Sequence, residues 1–333
     1  MRAGIVFGVL SGAAWGAVFL VPALLPQFSP LLLASGRYLL YGAVSLLLVG
    51  RALPRLWRRL EKGELRLLVE LALTGNLIYY VLLAGAVQMA GVASTSLIIG
   101  ATPVVITLLG RRDAGAVSLR RLVVPLGMVL AAILMSMFYI GGMVLAGVAC
   151  INLDVLLSAH AQARPLGERV FGMALAVGAV LSWAWYAARN ARFLQSQSRF
   201  DGNQWSLLWG MVTGALGGLV WLAVLALPGD AFLPGADTTS ADWTRFWALN
   251  LFLAIACSWF GNWMWNAAAR RLPLTLSGQM LVFETLFALL YGFTWAQRWP
   301  TILELVAVGL LVAGVVMSAR RHAQPPGAAP VPH

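Results

Sequence analysis

Residues 246–273 read FWALNLFLAIACSWFGNWMWNAAARRLP. The first half is an unbroken apolar run apart from Asn250, and the end is marked by Arg270, Arg271 and Pro273. A helix needs about 20 mostly apolar residues to cross the hydrocarbon of a bilayer. Residues 246–268 meet that length, yet Trp259, Asn262, Trp263 and Asn266 interrupt it with indoles and amides. These four fall at i, i+3, i+4 and i+7, which is one face of a helix. Polar groups facing lipid are costly, so the stripe is expected to point into a bundle of further helices.

The rest of the chain supplies those helices. Of its 333 residues, 60% are hydrophobic and only 11% charged, where a soluble domain carries about 25% charged residues. Further apolar runs lie at 3–25, 30–50, 67–89, 91–110, 168–188, 204–227, 274–296 and 300–319, and a longer one spans 122–153. The fold class is therefore an all-α polytopic membrane protein. The first run exceeds a signal-peptide core and is read as an uncleaved span. The tail, 320–333, is rich in proline and alanine and is expected to be a disordered cytoplasmic segment.

Loop charges fix the number of spans. If 122–153 counts once, one side of the membrane receives Arg2, the cluster from Arg51 to Arg66, Arg111, Arg112, Arg120, Arg121, Arg189, Arg192, Arg199, Arg270, Arg271, Arg320 and Arg321. The other side receives only Arg164, Arg169, Arg245 and Arg298, together with Asp230, Asp237 and Asp242. Counting 122–153 twice would turn the later arginine pairs outward. The positive-inside rule thus selects ten spans with both termini cytoplasmic. The net charge of +11 is explained by these loops rather than by a nucleic-acid surface.

Ten spans divide into two fives, and an odd number of spans forces the second copy to enter the membrane inverted. An offset of 183 residues lays Ala86 on Ala269, Ser94 on Ser277 and Thr102 on Thr285. The expected organisation is a first repeat at 1–153, a connecting loop at 154–167 and a second repeat at 168–319. The same offset carries the stripe of the eighth span onto Asn76, Tyr79, Tyr80 and Leu83 of the third. The sixth span repeats the spacing in Trp183, Tyr186, Ala187 and Asn190, and the first offers Ser11, Ala14, Trp15 and Val18. Aromatics and amides from both halves are expected to line a central cavity near the midplane. Tryptophan also marks membrane interfaces, which is how Trp265 and Trp295 are read. Asparagine can also serve as interhelical glue.

Two ionisable residues lie inside spans. Glu284 either binds a substrate ammonium, exchanges a proton, or is a structural carboxyl bonded to Thr285 or Gln279. Arg37 could clamp a substrate carboxylate, but is read as a packing anchor or a snorkelling side chain. Pro22, Pro103 and Pro125 lie within spans, and the first two are taken as hinges. Cys150 and Cys257 sit in apolar runs, so neither a disulfide framework nor a CxxC metal site is expected. No P-loop, HExxH motif or Ser/His/Asp set at membrane depth is found, so the chain is not expected to be an enzyme or to hold a cofactor or metal.

The order and spacing of several loose motifs resemble the drug/metabolite transporter superfamily in its ten-helix, EamA-type form. They are GVLSGAAWG with Trp15, SGRYLLYG with Arg37, ATPVVITLLG with Pro103, GAVLSWAWYAARN in the sixth span and GQMLVFETLFALLYG in the ninth. Within the superfamily the chain is most similar to the YddG-type aromatic amino acid exporters. The resemblance implies a basket of ten helices around an aromatic-lined cavity, in a bacterial inner membrane. The long fifth run and Glu284 depart from the family pattern. The expected function is export of small amphipathic metabolites, aromatic or neutral amino acids above all, by alternating access. Indoles and phenols suit an aromatic solute and amides suit its zwitterionic end. The alternatives are proton-coupled efflux of cationic lipophilic drugs and a non-transporting scaffold or receptor. The partners implied are a small-molecule substrate and the lipid bilayer, with a monomer compatible with the sequence.

Overall fold

Short local signals open and close the helices. Ser29 caps α3 (Pro30–Val49) by accepting a hydrogen bond from the Leu32 amide at 3.3 Å, and Pro30 follows at the first helical position. Gly50, at φ 46°, ends it. Capping boxes at Glu61/Glu64, Asp201/Gln204 and Thr239/Asp242 start α5 (Lys62–Ala72), α10 (Gly202–Ala226) and α11 (Ser240–Phe252). In the last of these, hydrogen bonds from Thr239 hold the Asp242 carboxyl below the ordinary aspartate range.

The computed structural model describes residues 2–110, 127, 165–196, 199–227, 232–273 and parts of 276–313. Among the described residues every regular element is helical. The remaining elements are α1 (Arg2–Gly16), α2 (Leu20–Leu24), α4 (Leu53–Arg58), α6 (Ile78–Ala90), α7 (Val92–Ile99), α8 (Thr102–Leu109), α9 (Leu166–Ser196), α12 (Asn262–Ala269) and α13 (Val282–Trp295). Five stretches are long and apolar enough to cross a membrane: Ala3–Leu24, Pro30–Arg58, Lys62–Ala90, Gly167–Ser196 and Gly202–Ala226. They coincide with the first, second, third, sixth and seventh expected spans. The expected fifth span, the tail and Pro125 lie outside the described residues.

The fourth, eighth and ninth expected spans are interrupted helices. The fourth is α7 and α8, separated at Gly100–Ala101, with Pro103 opening the second piece. The eighth is α11 and α12 joined through a π-helical stretch, Leu253–Gly261. In the ninth, Leu281 forms a turn and α13 begins after it. The third span also contains a π-helical stretch, Leu73–Leu77, between α5 and α6. In the first span a 3₁₀ turn, Ala17–Phe19, precedes Pro22, which has no N–H to continue the helical ladder.

Packing partners follow a regular pattern. Helix α3 lies along α10, α1 packs against α12 and α13, and α9 packs against α6, α7 and α8. Helix α10 touches α5, and α3 touches the π stretch of the eighth span. Small residues permit these approaches. A Cβ on Gly42 would stand 2.5 Å from the Gly214 Cα, so α3 and α10 cross backbone to backbone. Gly8, Gly12 and Gly16 on one face of α1 would each place a Cβ 2.6–2.7 Å from Met280, Phe283 or Phe287. These glycines are contact points for α13 rather than free joints.

Candidate functional site

The aromatic residues meet where four spans converge. Helix α1 contributes Trp15, α6 Tyr79, α9 Trp183 and Tyr186, and α12 Trp265. Trp183 is the hub. Its ring centroid lies 5.5 Å from Trp15, 5.3 Å from Trp265, 5.2 Å from Tyr186 and 6.4 Å from Tyr79. Trp15 and Trp265 are 5.6 Å apart, and Tyr186 stacks on Trp209 at 4.6 Å. The Trp15–Trp183 and Trp183–Tyr186 contacts are edge-to-face, a geometry worth about 0.5–1.5 kcal/mol per pair beyond area burial. All six rings are buried.

Both π stretches adjoin this cluster. A π turn withdraws carbonyls from the regular i−4 ladder, and inside a membrane neighbouring side chains must satisfy them. In the third span, Ser182 Oγ of α9 donates to the Thr74 carbonyl at 2.7 Å. In the eighth, Ser11 Oγ of α1 donates to the Gly261 carbonyl at 3.0 Å, and Trp15 Nε1 donates to the Cys257 carbonyl at 2.8 Å. Glycine admits an aromatic ring at each place: a Cβ on Gly75 would stand 2.4 Å from Tyr186 Cγ, and one on Gly261 2.6 Å from Trp15 Nε1.

A charged group lies beside the cluster. Arg37 is buried, with its guanidinium carbon 4.5 Å from the Tyr80 ring centroid and 5.1 Å from that of Tyr38. Its Nε donates to Ser258 Oγ, in the second π stretch, at 3.0 Å. The side chain does not snorkel: the faces of two tyrosines hold it inward by cation–π contact. Glu284 lies in the first turn of α13 and accepts a long hydrogen bond from Tyr79 Oη, 3.4 Å. Thr285, the partner considered from sequence, donates instead to the Ser96 carbonyl at 3.2 Å, tying α13 to α7; Gln279 lies outside the described residues.

The amides divide among separate tasks. Asn76 donates to Thr213 Oγ1 at 2.9 Å and joins the third span to the seventh. Asn262 is buried beside the Tyr41 hydroxyl, which itself donates to the Ser206 carbonyl at 2.7 Å. Asn266 accepts from Asn190 at 2.9 Å and donates to the Gly202 carbonyl at 3.3 Å, while Trp205 donates to Asn190 at 2.8 Å. That network ties together the ends of α9, α10 and α12. Trp259 and Trp263 are half-buried and stack on each other at 5.9 Å, with Trp259 Nε1 donating to Asn203 at 3.2 Å.

The structure therefore groups Trp15, Tyr79, Trp183 and Tyr186, sets Tyr80 and Glu284 next to them, and keeps Asn76, Trp259, Trp263 and Asn266 in neighbouring contacts. The stripe of the eighth span is split within regular α12, where Trp263 turns to stack on Trp259. Trp265, three residues after Asn262, shares its buried face and enters the aromatic cluster. It is 1% exposed, whereas an interfacial anchor would resemble Trp295 at 58%. Phe260, off the stripe, lines an outer apolar groove of about 970 Å³ with Leu10, Leu249 and Tyr291, and Met264 is buried.

At the end of the bundle that carries most arginines, Arg199 bonds Glu61 at 2.7 Å and also Glu64, while Arg59 reaches the Arg199 carbonyl. Glu70 is paired with Arg189 at 3.0 Å. Among the described residues no group of three or more His, Cys, Asp or Glu could hold a metal ion.

The EamA-like transporter family model matches residues 170–320. The chain is 33% identical over 337 residues to the inner membrane protein YtfF of Escherichia coli (strain K12), covering 98% of each chain. A shorter stretch of 42 residues is 39% identical to an uncharacterized transporter of Haemophilus influenzae, covering 13% of this chain and 25% of that one. A protein solved by crystallography shares the fold, with a TM-score of 0.61 at 17% identity over 95% of this chain and 98% of its own. A full-length relative at that identity, together with the family match in the second half, settles the membership: the chain belongs to the EamA-like transporter family.

Proposed function

We propose that the chain is a secondary transporter that exports small amphipathic metabolites, aromatic or neutral amino acids foremost, from the cytoplasm across the bacterial inner membrane. The observation that carries this reading is the buried cluster of Trp15, Tyr79, Trp183, Tyr186 and Trp265, drawn from four spans rather than from one interface belt. Aromatic faces at the meeting point of helices suit a planar apolar side chain. Glu284 and Tyr79 add a polar pair at its edge. The YtfF relative is an inner membrane protein, which supports the location; the arginine-rich loops support cytoplasmic termini.

Two inverted five-helix repeats account for the packing. Exchanging the first span with the sixth, the third with the eighth and the fourth with the ninth turns the contacts of α1 with α12 and α13 into those of α9 with α6, α7 and α8. The second and seventh spans, α3 and α10, pair with each other across the axis. The bond from Ser11 to one π stretch and that from Ser182 to the other obey the same exchange. Broken helices in the fourth and ninth spans, with Pro103 in the fourth, and the bend before Pro22 are the places where the halves flex in alternating access.

The test is transport by purified protein in proteoliposomes. Labelled phenylalanine should enter against unlabelled phenylalanine, and Trp183→Ala should reduce its half-saturation affinity about tenfold or more while the protein remains folded. Exchange of a lipophilic cation such as tetraphenylphosphonium, without phenylalanine exchange, would favour the drug-efflux reading. Absence of any exchange in folded protein would favour a scaffold.

A further inference from the structure

We propose that Arg37 is the carboxylate-binding residue of the transport site, so that the ligand is a zwitterion held between Arg37 and the Glu284–Tyr79 pair. This rests on the amino acid reading of the same site and narrows it. A guanidinium stays charged at all physiological pH values and presents a planar fork of donors that fits a carboxylate. Buried at membrane depth, it needs a counter-charge. Arg37 sits about 10 Å along α3 from Pro30 and is 4% exposed.

Its bonds are incomplete. Nε is taken by Ser258, and the ring faces of Tyr38 and Tyr80 cover the guanidinium, but Nη1 is buried without a partner. The Tyr80 hydroxyl is buried beside the same guanidinium. The buried acids among the described residues are Glu64 and Glu284. Glu64 is bound by Arg199. Glu284 feels the field of Arg37, yet no ion pair joins the two described side chains, and its bond is with Tyr79. A cation with a free donor and an anion with a single long bond thus flank one aromatic cluster. A salt bridge between them would answer both charges; in its absence a ligand carrying both opposite charges could do so.

A snorkelling or packing arginine would not give this arrangement. Snorkelling would leave the head exposed, and packing alone would favour full use of the donors. The Ser258 bond has a clear purpose here. It holds Nε and leaves the Nη edge of the fork free to meet a carboxylate.

Three ligands that share a phenyl ring separate the charges: L-phenylalanine, phenethylamine without the carboxylate, and 3-phenylpropionate without the ammonium. Binding is read by quenching of tryptophan fluorescence in the purified full chain. The wild-type protein should prefer phenylalanine to phenethylamine at least tenfold. In Arg37→Met that preference should fall to within about twofold, through weaker binding of phenylalanine and equal or tighter binding of phenethylamine, which loses a like charge from its surroundings. Ser258→Ala keeps the charge but frees the fork, and it should lose part of the preference; it serves also if Arg37→Met does not fold. Retention of the full preference in both variants overturns the role of Arg37 while leaving the amino acid reading intact. Arg37-dependent binding of 3-phenylpropionate with no binding of phenylalanine does the opposite: it keeps the anion site and removes the amino acid. Wild-type protein that binds none of the three overturns both.

Discussion

The two π-helical stretches occupy matching places in the third and eighth spans, but they do different work. In Leu73–Leu77 the exposed carbonyl of Thr74 is met by Ser182, and the polar side chain, Asn76, is met by Thr213. The stretch is closed on itself and its neighbours. In Leu253–Gly261 the carbonyls of Cys257 and Gly261 are likewise met, by Trp15 and Ser11. The polar side chain there, Ser258, instead accepts from an arginine that still has a free donor. The bundle thus carries one π stretch bonded only to neutral groups and one that also holds a charge. π turns occur often at functional sites because they re-aim side chains without ending a helix; the proposed carboxylate site puts only the second to that use.

The largest effects should come from filling the glycines that admit the rings. Gly75→Ala must push the Tyr186 ring, and Gly261→Ala the Trp15 indole, since each new Cβ would lie at 2.4 Å or 2.6 Å. Overpacking of this kind costs about 1–3 kcal/mol. Both variants should melt several degrees lower in detergent, measured by loss of monodisperse protein on heating. Equal melting of either variant and the wild type would mean that the ring contacts yield easily and that the comparison is drawn too sharply.

Next in size, Asn76→Ala and Ser258→Ala should separate the two stretches by function. Asn76→Ala removes a bond between the third and seventh spans, costing stability by about 0.6 kcal/mol as for other interhelical bonds in membranes, and phenylalanine affinity should change less than twofold. Ser258→Ala, which leaves the buried Arg37 Nε without its partner, should lower melting at least as much and in addition weaken phenylalanine severalfold. The reverse pattern would place the substrate on the first stretch.

The smallest effects should come from Ser11→Ala and Ser182→Ala. Each removes one hydroxyl from a π carbonyl and should cost about 0.6 kcal/mol, visible as a slight and similar fall in melting temperature. A marked difference between the two would argue against equivalent positions in a repeat.

Much of this could be read from residues alone. The apolar runs anticipate five spans found in the structure, Pro103 follows the interruption at Gly100–Ala101 while Pro22 only follows a 3₁₀ turn, and aromatic rings of the first, third and sixth spans lie in contact. The eighth span was less legible: nothing in LAIACSWFG announces a π stretch, and in the regular helix after it the spacing alone does not say which edge of the stripe faces the bundle, so Trp263 was favoured over Trp265. The surroundings of Arg37 were hidden for a different reason. A single buried cation in a sequence gives no sign of its partners, and only the fold brings Tyr80 and Ser258 to it from other spans. The four-residue spacing of Gly8, Gly12 and Gly16 was present in the sequence, but the residues it packs on, Met280, Phe283 and Phe287, were not identifiable from it.

The asymmetry between the two stretches can be measured in one experiment. Hydrogen–deuterium exchange of the wild-type protein in nanodiscs, with and without saturating L-phenylalanine, reports the amides of residues 73–77 and 253–261 side by side. The ligand should slow exchange in 253–261, where Ser258 positions the arginine that holds it, and leave 73–77 within error of the free protein. Protection confined to 73–77, or equal in both, in a protein shown to bind phenylalanine would contradict the account.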